Sequence, residues 1–277
     1  MSRESQRGQE VTVRLVAARL LLLLLAAAAG VVTWELYDLA LGAVIAASAF
    51  AAASTVEVFL LAHHPNQRWY AGRALSESIK SLSWRYAVAA EPFLRTRGGS
   101  ECVEDFTGRL LAMTNDMQSA GLAAPAAAGQ QITEGMRTLR SSPLHVRRAA
   151  YLSDRLEHQR AWYASRSLSN RIQATRWSVG LLVLEIGGVV FAVLRAAGWT
   201  KIDLLGVAAA AIAAGAAWTQ TRQHDGVATA YALASQELAT IGSLASRANS
   251  ELQMSQFVND AEAAISREHT MWRARRR

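Results

Sequence analysis

The sequence predicts an all-α integral membrane protein: four transmembrane helices in two hairpins, with long cytoplasmic helices carrying coiled-coil-like seams. Three observations predict it. Of the 277 residues 51% are hydrophobic, 54 are alanine and only 18% are charged, against about 25% charged residues in soluble domains. The apolar excess is concentrated in Leu15–Ala62 and Val179–Trp218, each long enough to cross a hydrocarbon layer of ~30 Å twice. Elsewhere apolar residues recur at three- and four-residue steps, with no run of β-alternation.

Leu15–Val32 supplies the first span, interrupted only by Arg19 near its cytoplasmic end, where the side chain can snorkel. Thr33–Asp38 is a short aromatic loop, and Leu36–Ala62 returns, ending at His63-His64-Pro65. Arg14–Arg19 followed by Leu20–Gly30 looks superficially like a secretory leader, but the apolar stretch continues into a second one, as in a retained hairpin. The second hairpin descends through Val179–Leu194, turns at Arg195–Asp203 and returns through Ile202–Trp218, with Trp177, Trp199 and Trp218 near the interfaces. Spans two and four are rich in alanine, which permits close helix packing.

The polar regions are helical in pattern. Leu75, Ile79, Leu82, Tyr86, Ala89 and Phe93 alternate four- and three-residue steps over a helix at 66–93. Val227, Tyr231, Ala234, Leu238, Ile241, Ala245, Ala248 and Leu252 do the same after the second hairpin. Met254, Val258, Ala261 and Ile265 continue two residues out of step, so a break or overwinding is expected near Asn249-Ser250. An unbroken helix from Ile202 to Asn249 would be about 70 Å long. Glu101–Ala120 and Gln131–Arg140 are shorter helices separated by Gly121–Gly129. Ser141-Ser142-Pro143 precedes a long helix, about Arg148–Ser178, feeding the third span.

Charge sets the orientation. Residues 63–178 hold 16 Lys/Arg, residues 33–38 none, and 195–203 only Arg195 and Lys201. The positive-inside rule places both termini and the middle in the cytoplasm. The net charge of +7 is then mainly a topology signal, and direct nucleic-acid binding is not expected. The single cysteine, Cys102, excludes an intrachain disulfide.

No phosphate-loop, dinucleotide, nucleophile-elbow or zinc-protease motif is present, so an enzyme, a metal site or a cofactor is not expected. His63 and His64 are adjacent and diverge on a helix, unlike an i, i+4 metal pair. Two carboxylates lie inside apolar spans: Glu57 near the end of the second and Glu185 about two turns into the third. Such groups face a bundle interior, a water-filled path or a partner. Each is therefore a pore-lining candidate or half of a helix–helix pair. Cytoplasmic clusters are dense in aromatic and charged residues: Trp69, Tyr70, Arg73, Glu77, Lys80, Trp84, Arg85 and Tyr86; then Arg155, Gln159, Trp162 and Tyr163; then Arg267, Glu268, His269 and Trp272. They fit either a polar-rich packing layer or a phosphate-bearing ligand gripped by Arg forks and aromatic faces.

The WYxxRxxxESxKxxxWRY run at 69–86, the RLxxQxxWY run at 155–163 and the ISREHTxW ending resemble the bacterial SLATT family. These are two-transmembrane domains named for association with nucleotide-synthesising SMODS enzymes and nucleotide-sensing SLOG domains. The resemblance implies two units in tandem: residues 1–95 (hairpin about 15–62, helix 66–93) and residues 146–277 (hairpin about 179–218 and its helices). A helical region at 96–145 joins them. It implies an oligomeric inner-membrane effector, pore-forming or membrane-perturbing, triggered in phage defence or stress. Its partners would be the lipid bilayer, further copies of itself, and a nucleotide second messenger or nucleotide-sensing protein. The alternative is a non-conducting scaffold that recruits partners through its cytoplasmic helices.

Overall fold

The computed structural model describes residues 3–31, 35–36, 39–63, 65–119, 130–200 and 204–274, with side chains described for these except 3–9, 35, 36, 39, 63, 65–71, 73, 117–119 and 267–274. The described chain is helical apart from one two-residue antiparallel pairing. Its elements are α1 (Arg3–Ala29), β1 (Glu35–Leu36), β2 (Leu39–Ala40), α2 (Leu41–His63), α3 (Pro65–Ala87), α4 (Gly99–Ser119), α5 (Glu134–Ser141), α6 (Leu144–Ala196), α7 (Leu205–Arg222), α8 (His224–Ser243) and α9 (Glu251–Ala274). They divide into two compact units. One comprises residues 1–6, 67–168 and 228–277; the other comprises 7–66 and 169–227.

The second of these units holds the apolar helices. Among the described residues three helices contain a stretch long and apolar enough to cross a membrane: α1 over Glu10–Ala29, α2 over Leu41–Ala62, and α6. α7 does not reach that standard among the described residues. It has 18 residues and ends in Trp218-Thr-Gln-Thr-Arg222, so its apolar part is short; Ile202, where the predicted fourth span begins, lies outside the described residues. The predicted return span at Leu36 instead starts as helix at Leu41, because Glu35–Leu36 and Leu39–Ala40 pair across the turn. α1 and α2 bury small side chains, Ala26, Ala29, Ala49 and Ala53. At the other hairpin a Cβ on Gly215 would run into the Leu181 side chain, so α6 and α7 meet closely there, and Trp177 lies 6.1 Å from Trp218. α6 stops at Gly198, whose φ of +77° lets the Trp199 amide donate back to the Leu194 carbonyl.

The other unit is an amphipathic helical assembly with two apolar clusters. Val88, Ala90, Tyr151, Leu156, Met254, Phe257, Val258 and Ala261 form the larger core. Leu82, Tyr86, Phe93, Cys102, Phe106 and Ile132 form the smaller, where Tyr86, Phe93 and Phe106 meet with ring centroids 5.1–5.9 Å apart. The predicted helix at 66–93 ends earlier, at Ala87, because Ala89 takes a left-handed backbone at φ +58°. Ala89 and Phe93 are buried, but from the chain after α3 rather than from its face.

The late seam is partly corrected. Tyr231, Ala234, Leu238, Ala245 and Ala248 are buried, whereas Leu252 is 65% exposed. The phase change is real: α8 ends at Ser243, a 3-10 turn covers Ala245–Arg247, and α9 starts at Glu251, burying Met254, Val258, Ala261 and Ile265. The single helix from Ile202 to Asn249 does not form. Gln223 adopts a left-handed conformation, φ 48° and ψ 40°, and separates α7 from α8. The break falls inside the polar run Thr219–Gly226, which separates the apolar stretch ending at Trp218 from the seam beginning at Val227. The shorter predicted helices occur as α4 and α5, and Gly121–Gly129 lies outside the described residues. The helix predicted from Arg148 begins at Leu144, just after Pro143, and continues unbroken to Ala196.

Candidate functional site

α6 departs from α-helical geometry over Tyr151–Glu157, where it is a π-helix. Such stretches occur mostly at functional or strained places because they widen the turn. Here the stretch sends two side chains to one carboxylate on α9. Arg155 forks onto Glu262, Nε to Oε1 at 2.9 Å and Nη2 to Oε2 at 2.8 Å, and the Tyr151 hydroxyl donates to Oε1 at 3.0 Å. The Arg155 and Glu262 side chains are only 5% and 1% exposed. Arg155 Nη1 also reaches Glu77 of α3 at 3.4 Å, and Glu77 receives Lys80 at 2.7 Å. Burial by itself would lower the Arg155 pKa, but the hydrogen bonds and charge of Glu262, with Glu77 behind them, raise it. Burial, then the neighbouring Glu262 charge, pushes the Tyr151 phenol well above its ordinary value.

Other arginines tie chain segments to carbonyls. The fully buried Arg147 donates to the Val88 and Ser142 carbonyls and pairs with Glu251. Arg140 donates to the Tyr86 and Phe93 carbonyls and lies 4.9 Å above the Tyr86 ring. These contacts satisfy the carbonyls of the irregular chain after α3, which a buried segment requires.

Beside Glu262, between α3, α4 and α9, lies a cavity of about 420 Å³ lined by Glu77, Ser78, Ser81, Arg85, Arg109 and Glu262, with Leu82, Met113 and Ile265 among its apolar walls. Arg85 donates through Nη1 to the Glu91 carbonyl at 3.1 Å and to Asn259 Oδ1 at 2.6 Å. Arg109 donates through Nε to Asp105 at 2.6 Å. Asp105 is held below the usual carboxylate range, first by Arg109 and then by Arg97.

The sequence candidates therefore fall into three groups. Glu77, Lys80, Arg85 and Arg155 converge around Glu262 and its cavity. Trp84 packs edge-on to Tyr151 at 5.8 Å, Tyr86 is core, Gln159 is buried, and Trp162 and Tyr163 meet Tyr231 at 5.4 and 5.6 Å. The side chains of Trp69, Tyr70, Arg73, Arg267, Glu268, His269 and Trp272 lie outside the described residues. Sequence reasoning missed Glu262, Tyr151, Arg109 and Asn259. Glu262 left a readable signal: it sits at an inward position among Val258, Ala261 and Ile265, an acid on an apolar stripe.

In the apolar unit the two intramembrane candidates separate. Glu57 is paired with Arg19 across α1 and α2 at 2.8 Å. Glu185 is exposed, flanked by the exposed Leu182, Val183, Ile186 and Val189.

Two family models match in tandem: SMODS and SLOG-associating 2TM effector domain 3 over residues 1–148, and SMODS and SLOG-associating 2TM effector domain 1 over residues 151–272. The chain belongs to the SLATT family. Each SLATT match contains one of the two apolar hairpin regions. The second contains the π-helical stretch and Glu262, so the Arg155–Glu77 contact joins residues from the two matched SLATT segments. No curated protein and no solved structure matches this SLATT chain. As a member of that family with three helices apolar enough to span, it is a membrane effector of the SMODS/SLOG-associated class.

Proposed function

We propose that the chain is a homo-oligomeric effector of the bacterial inner membrane that opens a permeation path or perturbs the bilayer. Its trigger is a signal from an associated nucleotide-signalling system, received by the cytoplasmic helices. In this reading the chain crosses four times, α7 completing the second hairpin, with both termini and the central region in the cytoplasm.

The contrast between the two spanning carboxylates carries the reading. Glu57 is satisfied within the chain by Arg19. Glu185 has no partner among the described residues and lies in the apolar part of α6, between Val179 and Leu194. An outward carboxylate at that depth opposes insertion by about 2.5–3.5 kcal/mol unless another chain or a water path covers it. An oligomer that turns this face to its own interior does both. The buried alanines of α1 and α2 favour the second reading, a non-conducting scaffold, since a dry small-residue contact offers no path.

Dye-loaded liposomes separate the two. The pore reading expects dye release on addition of a cyclic nucleotide or an associated sensor protein, with release lowered several-fold by Glu185→Ala and retained in Glu185→Asp. No release under any trigger, together with monomeric behaviour in detergent, would refute it.

A further inference from the structure

We propose that the cavity between α3, α4 and α9 is a binding site for a small phosphorylated metabolite, its oxyanion held between Arg85 and Arg109. The other arginines described above are satisfied: Arg155 by two carboxylates, Arg147 by a carboxylate and two carbonyls, and Arg140 by carbonyls and a ring. Arg85 and Arg109 differ. Among the described residues Arg85 makes its hydrogen bonds through Nη1 alone, to a carbonyl and a side-chain amide, so no carboxylate there hydrogen-bonds its guanidinium. Among the described residues Arg109 makes its hydrogen bond through Nε alone; Asp105 fixes that edge of the fork and leaves both Nη groups to donate. Both side chains line the same cavity. Two guanidinium groups with spare N–H donors lining one cavity are the donor set that planar and tetrahedral oxyanions select.

The remaining wall narrows the ligand. Glu77 lies eight residues before Arg85 on α3, about 12 Å along the helix. Ser78 and Ser81 line the wall between them. The cavity lining thus carries two cations, Arg85 and Arg109, and two carboxylates, Glu77 and Glu262. It suits a ligand that carries both a phosphate and hydroxyl or amino donors. Its volume of about 420 Å³ falls within the ~300–1,000 Å³ of small-molecule sites. Glu262, which also lines the cavity, binds Arg155 of the π-helical stretch, so an occupant would touch the contact that joins α9 to α6. The inference deepens the trigger part of the proposed function and rests on it for the consequence of binding; binding itself is measured separately.

Isothermal titration of the full-length protein in detergent, with ribose 5-phosphate, inorganic phosphate and ribose as probes, tests the assignment. Ribose 5-phosphate is expected to bind more tightly than phosphate, and ribose not at all. Arg85→Gln or Arg109→Gln should each weaken ribose 5-phosphate roughly 10- to 100-fold, as loss of charge-assisted hydrogen bonds does. Arg85→Lys, which keeps the charge and the fold but not the fork, should lie between. Glu77→Gln should erase the advantage of ribose 5-phosphate over phosphate, and Arg137→Gln on α5 should change nothing. No binding of ribose 5-phosphate at about 10 mM, or unaltered binding in Arg85→Lys and Arg109→Gln, overturns the site. Dye release is a different readout, so failure of the pore reading would leave this result standing.

Discussion

Replacing Glu262 by glutamine keeps the shape of the buried cluster and removes one charge. Arg155 and Glu262 are 5% and 1% exposed and share a two-point fork, so little water reaches the cationic side chain left behind. Breaking such a pair costs about 3–5 kcal/mol, because the surviving charge stays buried. The Glu77 contact at 3.4 Å offsets part of this and favours the lower figure. For a protein unit of this size each kcal/mol moves the melting temperature by about 2–4 °C, so Glu262→Gln should lower it by roughly 6–20 °C. Differential scanning fluorimetry on tryptophan emission reports on this unit through Trp84, which packs on Tyr151. The double variant Arg155→Met with Glu262→Leu removes both charges and fills the space, so it should melt above Glu262→Gln. A Glu262→Gln protein melting within about 2 °C of the parent, a shift too small for a broken buried pair, would refute the reasoning. So would a double variant as unstable as the two single changes summed.

Arg19→Ala and Glu57→Ala should each destabilise the apolar unit, by up to about 3 kcal/mol for a lone charge in a span. The exchanged pair Arg19→Glu with Glu57→Arg should recover most of that, read as the detergent melting temperature. The raised Tyr151 pKa means that its contribution is complete below the unfolded value near 10 and is lost as pH rises through the folded value. Tyr151→Phe should therefore flatten the alkaline fall in stability above about pH 10 while costing about 1 kcal/mol at neutral pH for the lost hydrogen bond. Gln223→Gly should raise stability by up to about 1 kcal/mol by relieving the left-handed backbone between α7 and α8, and Gln223→Val should lower it, both by thermal melts.

Much of the fold was legible because its signals are local. The phase slip between Ala248 and Met254 foretold the end of α8 and the restart at α9, since a helix cannot keep both stripes on one face without unwinding. The break at Gln223 was not legible: a left-handed glutamine has no residue-type mark, and the polar run Thr219–Gly226 around it fits a solvated helix turn as well as a break. The candidate site was half legible. Glu77 and Arg155 stood out in dense polar runs, and Glu262 was marked only by being an acid on an apolar stripe, while Arg109 sat in an unremarkable stretch.

Composition and periodicity by themselves determined that this is a helical chain with apolar hairpins and amphipathic polar helices, because the transfer of side chains out of water and the 3.6-residue turn depend only on neighbours along the chain. The charge shortage is part of that determination. The tertiary structure alone decided which of the scarce charges meet. Arg155 reaches Glu77 across 78 positions and Glu262 across 107, and Arg19 takes Glu57 while Glu185 is left outward. Pairing of that kind follows from how closely and at what rotation two helices approach, and no stretch of sequence carries that information on its own.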